Sequence, residues 1–140
     1  MKSDFLLSVV VPVYKEEKNI VPFLERTVKV MEENDYRYEI IFCLDPSPDR
    51  SYEVICESIR KNNNIRLIQF SRRFGQPSAT YAGICTCRGD ACIITDVDLQ
   101  DPPELMKEMV ERWQKNGSNV VYAQRKTREG RSKLGSRTPQ

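Results

Sequence analysis

Short apolar runs alternate along the chain with longer stretches in which apolar residues recur every three or four positions. Residues 7–13 are apolar but for Ser8, the pattern of a strand covered on both faces. Ile20, Phe23, Leu24, Val28 and Met31 follow at helical spacing and predict a helix over residues 17–34. Residues 38–44 form a second apolar run. Tyr52, Ile55, Cys56 and Ile59 mark a second helix, and residues 65–70 a third strand. Pro77 suits the first turn of a helix reaching to about Thr86. Residues 91–95 predict a fourth strand. A long helix is then expected from Pro102 to about Asn116, with Asp101 as N-cap and Gly117 as stop. Residues 120–123 predict a fifth strand.

Strands alternating with helices imply an α/β fold, a Rossmann-like and mostly parallel sheet with helices on both faces. Such sheets collect ligands beyond the carboxyl ends of their strands. Four polar clusters fall there: residues 14–17, 45–49, 71–75 and 96–101. The predicted organisation is one nucleotide-binding domain over residues 1–124 and a tail over 125–140. That tail lacks apolar periodicity and is expected to be disordered.

Charge separates these two parts. Residues 1–124 carry 16 Lys and Arg against 19 Asp and Glu, a net −3, whereas the tail has six basic residues against Glu129, a net +5. A mildly acidic body argues against nucleic acid as a partner. The basic tail reads either as a solvated end or as a peripheral contact with anionic lipid. The five cysteines, an odd number, point to reduced thiols in a cytoplasmic setting. The absence of His removes nucleophilic triads and most zinc ligand sets. Residues 5–13 lack the flanks and cleavage site of a signal peptide, and no run reaches the roughly 18 apolar residues of a membrane span.

Asp96-Val97-Asp98 ends the fourth strand. Alternate residues of an extended segment share a face, so both carboxylates can point one way. An all-oxygen pair suits Mg2+ or Mn2+, which would neutralise a leaving diphosphate. The competing reading is a solvated turn and a helix cap. The following Leu-Gln-Asp-Pro-Pro-Glu segment favours the metal by adding carboxylates and a rigid turn. Asp45 opens Asp-Pro-Ser-Pro-Asp. It can accept the imide N–H of uracil, or build a turn with Ser47 that caps the next helix. Arg72 and Arg73, in Ser-Arg-Arg-Phe-Gly, suit phosphate by their planar forks or form a surface turn, with Arg73 the weaker candidate.

Together these segments, with Val-Val-Val-Pro-Val-Tyr-Lys-Glu-Glu at residues 9–17, resemble family-2 glycosyltransferases of the GT-A fold. Within them the chain is most similar to bacterial polyprenyl-phosphate (bactoprenol) glycosyltransferases, which are related to dolichol-phosphate sugar synthases. The resemblance implies inverting transfer of a hexose from UDP-glucose or a similar donor to a polyprenyl phosphate at the inner face of the cell membrane. It implies a nucleoside pocket lined by Pro12, Tyr14 and Glu16, uracil on Asp45, ribose or sugar on Asp96, and the metal on Asp98. Arg125 and Arg128 would fall in the family's mobile loop. The candidate catalytic set is thus Asp96, Asp98 and Asp101, with metal on Asp98 and Asp96. The candidate donor-binding set is Pro12, Tyr14, Glu16, Asp45, Ser47, Arg72, Gly75, Asp96, Arg125 and Arg128. Lys15, Pro46 and Arg73 depart from the family's usual Asn, Gly and Asn. After Gly130 the family continues into further catalytic sequence and membrane helices that residues 131–140 do not resemble, so a truncated, nucleotide-binding but non-catalytic fragment is the alternative. Glu129 is a weak substitute for the base expected there.

Overall fold

The computed structural model describes residues 2–98, 102–117, 120–125 and 132–137. Four parallel strands form the main sheet: β1 (Leu6–Val13), β2 (Arg37–Leu44), β3 (Ile65–Gln69) and β4 (Ala91–Ile94), in the order β3-β2-β1-β4. In register, Leu6 pairs with Arg37, Ile40 with Ile65 and Leu7 with Ala91. The two central strands are the most apolar and the most buried, because both of their faces are covered.

Alternation along β1 divides the core. Leu7, Val9, Val11 and Val13 join Phe42 and Leu44 under α1 (Glu17–Glu33), α2 (Ser51–Lys61) and α4 (Leu105–Asn116). Ile20, Phe23, Leu24, Val30 and Met31 bring the apolar stripe of α1 onto that face; Met106 and Val110 do so for α4. The opposite face carries Val10, Ile41 and Cys43 beneath α3 (Gln76–Thr86), which approaches through Ala79 and Gly83. Helices therefore lie on both faces, as expected. At the sheet's edge, Ile94 on β4 and Tyr81 on α3 stay exposed, at 51% and 69%.

Three features differ from the expectations. The last long helix begins at Leu105, with Glu104 at its N-cap, rather than at Pro102. Pro102 precedes Pro103, and a residue before proline is pushed out of the helical region. The amides of Leu105 and Met106 instead close three-residue turns onto the carbonyls of Pro102 and Pro103. Arg26 fastens this turn to α1 through two hydrogen bonds from Nη2 to Glu104, at 2.7 and 3.0 Å. The fifth strand, β5 (Val120–Arg125), leaves the parallel sheet and pairs antiparallel with β6 (Ser132–Arg137). The expectation of disorder across 125–140 is thereby corrected for residues 132–137. A ladder of backbone hydrogen bonds needs no apolar period to form, so this strand carried no sequence signal.

Below the amino ends of the strands lies a buried polar knot. Glu39 accepts from Ser8 Oγ at 2.6 Å, Arg66 Nη1 at 2.7 Å and the Arg88 N–H at 2.6 Å. Burial opposes its charge, but these bonds and the Arg66 charge outweigh it and hold the carboxyl below its ordinary value of 4.5. A depressed folded-state pKa means stabilisation that is complete above the unfolded value and lost as pH falls through the folded one. Glu39→Gln is accordingly expected to cost about 2 kcal/mol at neutral pH, below the 3–5 typical of a fully buried pair because Arg66 stays 30% exposed. Chemical denaturation at pH 7 and pH 3 checks this: the difference between variant and parent should shrink at the lower pH.

Candidate functional site

The carboxyl ends of β1, β2 and β4 open into one cleft of about 280 Å3. β1 delivers Pro12 and Tyr14, the start of α1 delivers Glu16, β2 delivers Asp45, and the turn after β4 delivers Asp96 and Asp98. Six of the expected residues, five of them from three separate polar clusters and Pro12 from β1, thus share one concavity.

Each is held by local chemistry. Lys15 sits in the left-handed region at φ 54°, and its N–H donates to Ser47 Oγ at 3.0 Å. Ser47 donates in turn to Asp49 Oδ1 at 2.5 Å. Asp49 also accepts the Ser51 N–H at 3.1 Å and the Glu17 N–H at 3.3 Å, so one carboxylate serves the first residues of α1 and α2 together. Burial raises the Asp49 pKa, but these donors prevail and lower it overall. Ser47 consequently acts as a brace behind the cleft and is absent from its lining.

Asp45, only 3% exposed, accepts the N–H groups of Phe74 at 3.1 Å and Gly75 at 3.0 Å, one on each oxygen. It therefore fastens the loop after β3 to the end of β2 while lining the cleft. Gly75 takes φ 91°, which favours glycine, and turns the chain into α3. Arg72 lies 4.3 Å over the Phe74 ring and does not line the cleft; Arg73 does, 3.9 Å over the Tyr14 ring.

The extended conformation of β4 stops at Ile94, and Val97 and Asp98 lie in a turn. Val97 is 1% exposed and packs in the core, which fixes the turn while Asp96 and Asp98 both reach the cleft. Gln76, unmarked in the sequence, donates from Nε2 to Asp96 Oδ1 at 2.8 Å. The only hint was its place beside Gly75 at the opening of α3. No cluster of three metal-ligating side chains occurs among the described residues. Two carboxylates in one cleft nevertheless suit Mg2+ or Mn2+, which are commonly bound by one or two carboxylates plus substrate phosphates. Asp101, Arg128 and Glu129 lie outside the described residues. Arg125 ends β5, and its side chain is outside them too.

The chain is 43% identical over 130 residues to the uncharacterized glycosyltransferase YkcC of Bacillus subtilis (strain 168), spanning 93% of this chain and 40% of that protein. It is 38% identical over 133 residues to the bactoprenol glucosyl transferase of Shigella phage SfX, spanning 94% and 43%. It therefore covers about two-fifths of the length of these curated relatives. Among solved structures, the mannosyltransferase PcManGT of Pyrobaculum calidifontis, in complex with GDP-Man and Mn2+, superposes with a TM-score of 0.68 at 19% identity, covering 91% of this chain and 38% of that one. Its likeness shows the GT-A fold. The sequence profile described as glycosyl transferase family 2 matches residues 8–140, nearly the whole chain, and to that family the chain belongs.

Proposed function

We propose that the cleft binds a nucleotide-sugar, UDP-glucose or a close analogue, and that the protein transfers its hexose to a polyprenyl phosphate. The observation that carries this reading is the convergence of Asp45, Asp96 and Asp98 on one strand-end cleft in a family-2 glycosyltransferase. Similarity to a bactoprenol glucosyl transferase supports the acceptor class. Asp45 takes the base, Tyr14 and Glu16 flank the nucleoside, and Asp96 meets the ribose or sugar. Asp96 and Asp98 would hold Mg2+ or Mn2+, which when bound supplies positive charge opposite the diphosphate. The acceptor phosphate oxygen forms a bond to the anomeric carbon as the bond from that carbon to UDP breaks, inverting the centre. A phosphate is already ionised near neutral pH, so this attack demands less of a general base than a sugar hydroxyl would. The reaction belongs at the cytoplasmic membrane face, where the acceptor resides. No helix among the described residues is long and apolar enough to cross a membrane.

The second reading is nucleotide binding without transfer; the chain spans about two-fifths of the length of the curated relatives it matches. Incubation with UDP-glucose, Mn2+ and undecaprenyl phosphate separates the two. Transfer predicts lipid-linked glucose. None, with a full-length bactoprenol glucosyl transferase active alongside, leaves binding alone.

A further inference from the structure

We infer that Cys87 and Cys92 form a reversible dithiol–disulfide pair, a modification site at the amino ends of the strands and apart from the cleft. Strand register places one member. Glu39, Ser8 and Cys92 stand side by side across β2, β1 and β4. Residues in register share a face, and two positions along β1 from Ser8 is Val10, which belongs to the face beneath α3. Cys92 therefore turns to the α3 side, while its neighbour Ile93 turns to the opposite core. Cys87, just past the end of α3, packs against that same α3-side cluster. The turn between the two thiols is pinned to the row. The Arg88 N–H donates to Glu39 at 2.6 Å, the Gly89 N–H to Ser8 Oγ at 2.8 Å and the Asp90 N–H to the Leu6 carbonyl at 2.7 Å. Both thiols are thus held on one face, and a hydrogen bond links them.

The other three cysteines are badly placed to compete. Cys43 is buried and level with Pro12, four residues along β1 from Ser8. Cys56 lies on α2, which packs on the other face of the sheet. Cys85 is exposed two positions before Cys87, a spacing at which helical side chains do not face each other. Burial, then the Cys87 charge and the hydrogen bond with Cys87, raise the pKa of the Cys92 thiol. Cys92 stays protonated near neutrality, so the first attack falls to Cys87, because the thiolate is the nucleophile. Cys87 gives its proton to water and attacks a low-molecular-weight disulfide such as oxidised glutathione. A mixed disulfide forms and one thiolate leaves. The Cys87 charge that helped to hold the Cys92 proton is then gone. Cys92 yields that proton to the released thiolate and attacks the Cys87 sulfur, expelling a second thiolate that is protonated from water. Two protein thiols are oxidised, and one small disulfide is reduced to two thiols. The ring that closes is short and its turn is already pinned, so the bridge acts mainly by restricting the unfolded chain.

The test treats the whole folded chain with oxidised glutathione near neutral pH, alkylates the remaining thiols after denaturation and maps the peptides by mass. The expected product is a bridge between Cys87 and Cys92, with no bridge at Cys43, Cys56 or Cys85. The oxidised chain should melt about 5 °C higher than the reduced one, and dithiothreitol should reverse the shift. Cys92→Ser should stop at a stable glutathione adduct on Cys87, whereas Cys87→Ser should leave Cys92 as a free thiol. A bridge through Cys85, a lasting adduct on both Cys87 and Cys92, both thiols left unoxidised, or an oxidised chain that melts below the reduced one would each overturn the inference. The peptide map of the parent decides the pairing even where a variant fails to fold.

Discussion

Asp98→Ala is expected to lower the Mn2+-dependent affinity for UDP by about a hundredfold or more, since disturbing even the outer partners of metal ligands costs 10–100-fold. Asp98 reaches the cleft from a turn whose neighbouring residue, Val97, is embedded in the core. Truncation at 98 should therefore leave the backbone in place and remove only the carboxylate. Thermal unfolding without nucleotide should scarcely change, whereas the stabilisation given by UDP and Mn2+ together should vanish. Loss of the apo-state stability along with binding would mark Asp98 as a structural residue.

The largest effect on stability is expected at Gly89, on the opposite end of the sheet. A methyl group there would lie 2.5 Å from Ser8 Oγ, 2.7 Å from Ser8 N and 2.8 Å from the Leu6 carbonyl oxygen. Two of these are backbone atoms of β1, which is paired on both sides and cannot retreat. The same residue donates its N–H to Ser8 Oγ at 2.8 Å, and Ser8 donates onward to Glu39. Gly89→Ala should thus both overpack the turn and pull on the buried carboxylate. A loss of about 3 kcal/mol, or roughly 10 °C in Tm, is the expected scale. Gly117, which ends α4 at φ 63° with nothing within 4 Å of an added Cβ, is the contrasting position. Asn tolerates that conformation, and Gly117→Asn should cost less than about 1 kcal/mol.

Much of the fold was legible because burial and periodicity coincide. The doubly covered β1 and β2 are mostly apolar, interrupted by Ser8 and Glu39, and the stripes of α1 and α4 repeat at helical spacing. α3 was harder. Its buried face is Ala79 and Gly83, small residues that give no apolar period, and Pro77 alone betrayed it. β6 left no trace, since Ser132–Arg137 pairs through its backbone. At the site, the acidic residues declared themselves by their place at strand ends. What no pattern encodes is the division of labour inside a cluster. Asp45 faces the cleft while Ser47 and Asp49, two and four residues on, brace α1 and α2. Arg73 enters the cleft while its neighbour Arg72 stacks on Phe74. Those assignments depend on side-chain direction, set partly by contacts between segments about 30 residues or more apart, as between Lys15 and Ser47 or Asp45 and Phe74.

Calorimetric titration of UDP into the chain, once with saturating Mn2+ and once with a chelator, is the direct measurement of the pairing between the acidic turn and a nucleotide's phosphates. Saturable one-to-one binding that disappears in the chelator is the result this structure predicts. Equal affinity under both conditions, or no heat in either, would contradict it.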